Sequence, residues 1–260
     1  MFKILKYSFF DLVRSRWIYI YFAFYLLFTL ALLWLSTDLS KVIISLMNVV
    51  LVLVPLIAMM FGIMYYYNSR EFTELLLAQP IRRTHIFLGQ YLGVAGSLSG
   101  SLLLGVGLPF AIYGIFGSAE IWNFSMVLLV GVFLSFIFSA IAFFIALKNE
   151  NRIRGFGLGI LVWLFLAVVY DGLFLLLLAI FSDYPIENFA IGASMFNPID
   201  LSRILILLQL DISALMGYTG AVFQKFLGHT TGIATAIAVL LLWTALPVLG
   251  IRKTALNKDF

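Results

Sequence analysis

The sequence predicts an all-α integral membrane protein with six transmembrane helices and both termini in the cytoplasm, and three observations carry that prediction. Apolar side chains make up 63% of the 260 residues and charged ones 11%, with a mean hydropathy of +1.11, which leaves too little polar surface to cover a soluble globule. The runs 17–36, 42–67, 86–116, 122–147, 155–181 and 231–251 each reach the about 20 residues that cross a hydrocarbon core about 30 Å thick. The basic residues, finally, divide unevenly between alternate connectors. A membrane β-barrel is excluded because its strands alternate in polarity every second residue, whereas LVLVPLIAMMFGIMYYY is apolar on every side.

The N-terminal segment 1–16, MFKILKYSFFDLVRSR, is basic and amphipathic. The apolar run behind it is longer than the core of a signal peptide and has no small-residue cleavage pattern, so it is expected to stay as the first span. Spans one and two are joined by a short loop around Lys41. Spans two and three are joined by the cytoplasmic segment 68–85, spans three and four by residues 117–121, and spans four and five by residues 148–154. Between spans five and six lies the insert 182–230, expected to face outward, with a short amphipathic helix beginning near Pro198 and another over about 211–227.

Orientation follows from the charges. Lys3, Lys6, Arg14, Arg16, Arg70, Arg82, Arg83, Lys148, Arg152, Arg154, Arg252, Lys253 and Lys258 fall on one side, and Lys41, Arg203 and Lys225 on the other, which accounts for all sixteen. Basic loops stay inside, so the richer side is cytoplasmic. Topology reporters at Glu150 and after Phe260 are therefore expected to read cytoplasmic and one near Glu187 external; an external C terminus would contradict the six-span arrangement. The placement of charge explains the net +4 without a nucleic-acid partner.

The segment 68–85 is richer than a turn requires. Read as a helix over 70–79, it sets Phe72, Leu75, Leu76 and Gln79 on one stripe with Glu71 and Glu74 beside it. Asn68 or Ser69 is placed to cap its start, the two glutamates suit the positive end of the helix dipole, and Pro80 stops it before Arg82. Periodicity leaves two roles open: a helix lying among lipid headgroups, or a ligand for a groove on a soluble partner.

The pattern EFTELLLAQPIRRTHIFLGQYLG resembles the segment between the second and third spans of ABC-2 type transporter permeases, and FKILKYSFFDLVRSRW is similar to their N-terminal elbow helix. The resemblance implies that 68–85 holds a coupling helix seated on an ATP-hydrolysing subunit, with Glu71, Phe72, Glu74, Leu75, Leu76, Pro80 and Arg82 as the coupling residues. It further implies two copies of that ATPase, a second copy of this chain, and the bacterial cytoplasmic (inner) membrane as the location. One departure stands out: Phe72 and Thr73 occupy the place of the family's usual Gly-Thr. GLGILVWLFLAVVYDGLFLLLLAI and FNPIDLSRILILL are similar to NosY permeases. That likeness implies a role in maturing the copper sites of nitrous oxide reductase and a periplasmic accessory partner of the Nos type, with Asn197, Pro198, Asp200 and Arg203 as external contacts.

No G-x-x-x-x-G-K-[ST] occurs, so ATP and Mg are expected to bind the partner, with no cofactor and no catalytic residue on this chain. The absence of cysteine excludes disulfides, thiolate metal sites and a cysteine nucleophile. His85 and His229 fall on opposite sides in this topology and Met195 and Met216 are isolated, so no metal site is expected. Asp171 lies sixteen residues inside span five, about 24 Å along the helix, as an intramembrane carboxylate with no evident basic partner. Its role is a functional one in a watery interior or a structural one in the bundle. Gly89, Gly93, Ser97, Ser101 and Gly105, and again Gly155 and Gly159, repeat every fourth residue, the pattern of close helix packing. Two other classes are weighed against a permease subunit. An integral-membrane enzyme needs titratable residues clustered at one depth, and a secondary transporter needs an internal repeat with interrupted helices; neither is visible in the sequence.

Overall fold

A computed structural model describes residues 1–181, 187–210, 225 and 228–257. The described residues form helices α1 (Phe2–Val13), α2 (Arg16–Leu35), α3 (Leu39–Asn68), α4 (Arg70–Leu77), α5 (Arg83–Ile112), α6 (Ile121–Lys148), α7 (Arg152–Leu164), α8 (Tyr170–Ile180), α9 (Glu187–Met195), α10 (Pro198–Leu210) and α11 (His229–Asn257), with no strand among them. A π-helical turn, Phe165–Val169, joins α7 to α8. Among the described residues six helices are long and apolar enough to cross a membrane: Arg16–Leu35, Leu39–Asn68, Arg83–Ile112, Ile121–Lys148, Arg152–Leu177 and Thr230–Asn257. These are the six expected spans with shifted ends. The third stops at Ile112 instead of 116 because Gly114 takes a φ of +80° and Gly114 N–H turns back to Ala111 O, a left-handed stop that glycine adopts without strain.

The centre of the bundle is α3 against α6, where Gly62 lies so close to α6 that a Cβ there would stand 2.6 Å from Ala142 Cβ. Helix α5 packs beside both, and its small-residue stripe is used as expected, though by two different neighbours. Gly89, Gly93 and Ser97 receive α1: a Cβ on Gly89 would meet Ile4 Cγ2 at 3.0 Å, and Ser97 Oγ lies 3.3 Å from Phe9 O. Gly105 receives α2, with Phe22 O 3.0 Å from where its Cβ would stand. The N-terminal helix is thus a packed member of the bundle, with Ile4, Ser8 and Leu12 buried at four-residue spacing. Gly155 and Gly159 seat α7 on Tyr67, Ile63 and Met59 of α3. Helix α11 returns along α6, with Gly250 against Phe144, whose ring also carries Lys148 Nζ at 4.5 Å. The outward faces of α7 and α8 are leucine-rich and exposed, as a lipid boundary requires.

The stretch after span five departs most from expectation. A helix does begin at Pro198, but α10 is not amphipathic: Ile199, Leu201 and Ile204 to Leu208 are each at most 2% exposed, and the helix is wedged among α6, α11 and α3. It meets α9 at a 109° bend, and its 13 described residues span about 20 Å. ILILLQL reads the same whether it lies on a surface or inside, since a short apolar run has no periodicity to tell the two apart. The second helix expected over 211–227 lies outside the described residues.

Candidate functional site

Two places in the described fold gather polar side chains that join separate helices. The first is the root of α4. Ser69 ends α3 and starts α4; Thr73 N–H and Thr73 Oγ1 both donate to Ser69 O, at 2.9 and 2.8 Å. Gln90 of α5, fully buried, donates Nε2 to Thr73 Oγ1 at 2.8 Å, and Phe72 stacks on Tyr7 of α1 with ring centroids 4.6 Å apart. These contacts fix which way α4 faces. Thr73 turns in, Phe72, Leu76 and Leu77 are half-buried, and the exposed line is Glu71, Glu74, Leu75 and Ala78, with Leu75 68% exposed.

The expected stripe of Phe72, Leu75, Leu76 and Gln79 is therefore split. The helix ends at Leu77, two residues early, and Leu75 stands at one edge of its exposed line, with Glu71 and Glu74 both to the same side of it. Arg70 Nε donates to Glu74 Oε1 at 3.0 Å, an exposed pair that steadies the first turn by a few tenths of a kcal/mol, about what such i,i+4 pairs contribute. Pro80 and Arg82 are exposed beyond it, and Arg82 is the N-cap residue of α5. The sequence signal that could have oriented the helix is Thr73 with Gln90: two polar residues with no place in lipid, free to satisfy each other.

Two residues before Ser69, Tyr67 ties the root of α4 to the connector between α6 and α7. Its hydroxyl donates to Asn149 O at 2.6 Å and lies 3.3 Å from Asn151 O, while Asn151 Oδ1 accepts from Ile153 N–H at 2.9 Å and caps α7. Tyr67→Phe keeps the ring over Gly155 and removes only this donor. It should cost about 1 kcal/mol and lower the thermal unfolding midpoint by about 2–4 °C; an unchanged midpoint in nanodiscs would show that the hydroxyl joins nothing.

The second place is the outer part of span five, where Asp171 stands. It is not alone, contrary to the sequence reading. Arg203 of α10 donates Nη1 to Asp171 Oδ2 at 2.9 Å and lies 3.5 Å from Asp200 Oδ1, one turn back on its own helix. The two partners are 32 positions apart in the chain. What could have been read is the demand itself: an intramembrane carboxylate needs a cation, and Arg203 with Asp200 sits at i,i+3 in the first turns of a capped helix.

Asn197 provides that cap. Its Oδ1 accepts from Ile199 N–H at 3.0 Å, Pro198 follows as the first helical residue, and its Nδ2 crosses to Leu166 O in the π turn at 2.8 Å, so one buried amide serves both elements. Tyr170 Oη donates to Ala193 O at 2.6 Å, and Trp243 Nε1 of α11 donates to Met195 O at 2.9 Å. Asn197, Pro198 and Asp200, expected as external contacts, are at most 7% exposed in the first and last case and buried in the middle one; they pin the α9–α10 corner instead. Arg203 is half-buried and occupied by the ion pair.

Nothing in either place assembles a nucleophile with a base, and among the described residues no three His, Asp or Glu side chains gather where they could hold a metal ion. Met216 lies outside the described residues. What the geometry offers is mechanical: an anchored short helix, α4, with an exposed apolar and acidic face, and an α9–α10 corner held by polar ties.

No protein-family model matches the chain. It is similar to the probable ABC transporter permease protein NosY of Stutzerimonas stutzeri, with 26% identity over 254 residues that take in 92% of this chain and 85% of that protein. The chain is related to ABC transporter permeases. With the six apolar helices, that relationship makes this a multi-pass membrane protein.

Proposed function

We propose that this chain is the membrane-spanning subunit of an ABC transporter, which takes up conformational change from a separate ATP-hydrolysing subunit docked on α4. The observation that carries the reading is the position of α4. It stands between the second and third apolar helices of a chain similar over 92% of its length to a probable ABC permease, anchored on three sides and free on the fourth. Leu75, 68% exposed, stands at the edge of a line that carries Glu71 and Glu74, an apolar and acidic face suited to a groove on a soluble protein.

The fuller assignment follows the same line. The subunit pairs with a second copy of itself to match two ATPase subunits, lies in the bacterial inner membrane with both termini inside, and binds no nucleotide of its own. Its likeness to NosY supports work in the maturation of the copper sites of nitrous oxide reductase, with a periplasmic partner on the outer side. Tagged protein purified from native membranes in mild detergent is expected to bring with it a polypeptide that contains a G-x-x-x-x-G-K-[ST] loop and hydrolyses ATP. Purification as a self-sufficient species, active in transport without any such subunit, would contradict the reading.

A further inference from the structure

Three polar ties of the α9–α10 corner converge on the π turn and the helix that leaves it. A π turn holds one residue more than the α-helix around it. Returned to α geometry, with the preceding helix fixed, it would turn everything after it by about 100° and move it by about 1.5 Å. Here the preceding helix is fixed. Gly155 lies against the Tyr67 hydroxyl, and a Cβ at Gly159 would meet Met59 Cγ at 3.2 Å as well as the Ile63 side chain, so α7 has no freedom to rotate.

The helix that follows is much less enclosed. Leu173, Leu175 and Leu176 of α8 are 51%, 65% and 54% exposed, and Phe174 alone among these four is buried, at 7%. Beside Phe174, between α8 and α9, lies an apolar cavity of about 440 Å³ whose walls include Leu173, Phe174, Phe189, Gly192 and Phe196. There is room for one side chain to leave and its neighbour to enter.

We infer that Phe165–Val169 is a register switch: α8 turns by one residue as the π turn opens and closes, and Asn197 and Arg203 hold it in the π form. Asn197 holds the turn itself through Leu166 O. Arg203 holds the consequence, because Asp171 meets it only in this register; after a one-residue turn, Tyr170 stands where Asp171 now stands. One rotation therefore breaks the ion pair and withdraws Tyr170 Oη from Ala193 O, releasing two ties on the α9–α10 corner together. The inference depends on the fold alone and not on what drives the protein.

The native chain contains no cysteine, so spin labels can be placed singly at positions 173, 174, 175 and 176 of the full chain in lipid nanodiscs and their collision rate with oxygen measured. With the native sequence elsewhere, the minimum is expected at 174. In the Asn197→Ala/Arg203→Gln background it should move to 173. Deleting Ala167 removes the extra residue while leaving both flanks where they are, so in the same double background without Ala167 the minimum should stay at 174.

A minimum that remains at 174 with the turn intact would overturn the inference. So would an identical shift after the deletion, or a profile flattened at all four positions, since either means general loosening and not a change of register. If the double variant does not reconstitute, Asn197→Ala alone is read in the same way, with the minimum expected to be shared between 173 and 174; an unshared minimum at 174 would then count against the switch.

Discussion

Gly93→Ala is expected to destabilise the protein although glycine to alanine inside a helix ordinarily stabilises it by about 1 kcal/mol. The added Cβ would stand 2.6 Å from Ser8 Cβ and 3.0 Å from Phe9 N, and main chain on the far side of the contact has no rotamer by which to yield. Prising α1 from α5 should cost on the order of 2–3 kcal/mol net and lower the unfolding midpoint by about 5–10 °C. Gly93→Leu should prevent accumulation of folded protein. Gly100→Ala supplies the contrast in the same helix: nothing lies within 4 Å of its Cβ position, so the helix preference acts unopposed and the midpoint should hold or rise. Equal responses at the two glycines, read by thermal unfolding in one detergent, would mean that the N-terminal helix does not depend on this seat.

The second large effect is expected at Arg203. Arg203→Leu leaves Asp171 and Asp200 without the cation that lies between them. Orphaning a fully buried charge costs about 3–5 kcal/mol; with the Arg203 and Asp171 side chains 35% and 28% exposed, on the order of 2 kcal/mol is expected, since solvent screens what remains. Much of that loss belongs to the stranded carboxylates and not to the missing bond. Adding Asp171→Leu should accordingly recover part of the stability, so that the double variant is better than the sum of the two single ones. Strict additivity of the unfolding midpoints would show that the two residues do not act as a pair.

These two sites mark how far the sequence could be read. The seat of α1 was legible because glycine and serine at every fourth position have one common use in a membrane helix, although nothing in that stripe named the partner as α1 below and α2 above. The spans were legible because their runs exceed what any other environment requires. The ion pair was half legible: Asp171 announced a need, and its answer lay 32 residues away on a helix whose burial no local pattern shows. The π turn was not legible at all, since FLAVV is as ordinary as the helix on either side and the extra residue is visible only in the hydrogen-bond ladder. On α4 the stripe was legible, but not how far each of its residues would be covered. An apolar stripe states that a side will be covered, and here α1 and α5 cover Phe72 and Thr73, leaving Leu75 as the residue on offer.

That difference in exposure decides the most direct measurement. Leu75→Glu alters only an exposed position, so the chain should insert and unfold as the unaltered protein does. If the ATP-hydrolysing subunit closes over Glu71, Glu74 and Leu75, the new carboxylate is desolvated without a partner, costing on the order of 2 kcal/mol or more and weakening the complex about thirtyfold. Co-purification of that subunit with the tagged membrane chain, compared between unaltered protein and Leu75→Glu at equal membrane levels, should fall to background together with ATP hydrolysis. Undiminished co-purification and hydrolysis would contradict the assignment of α4 as the docking helix.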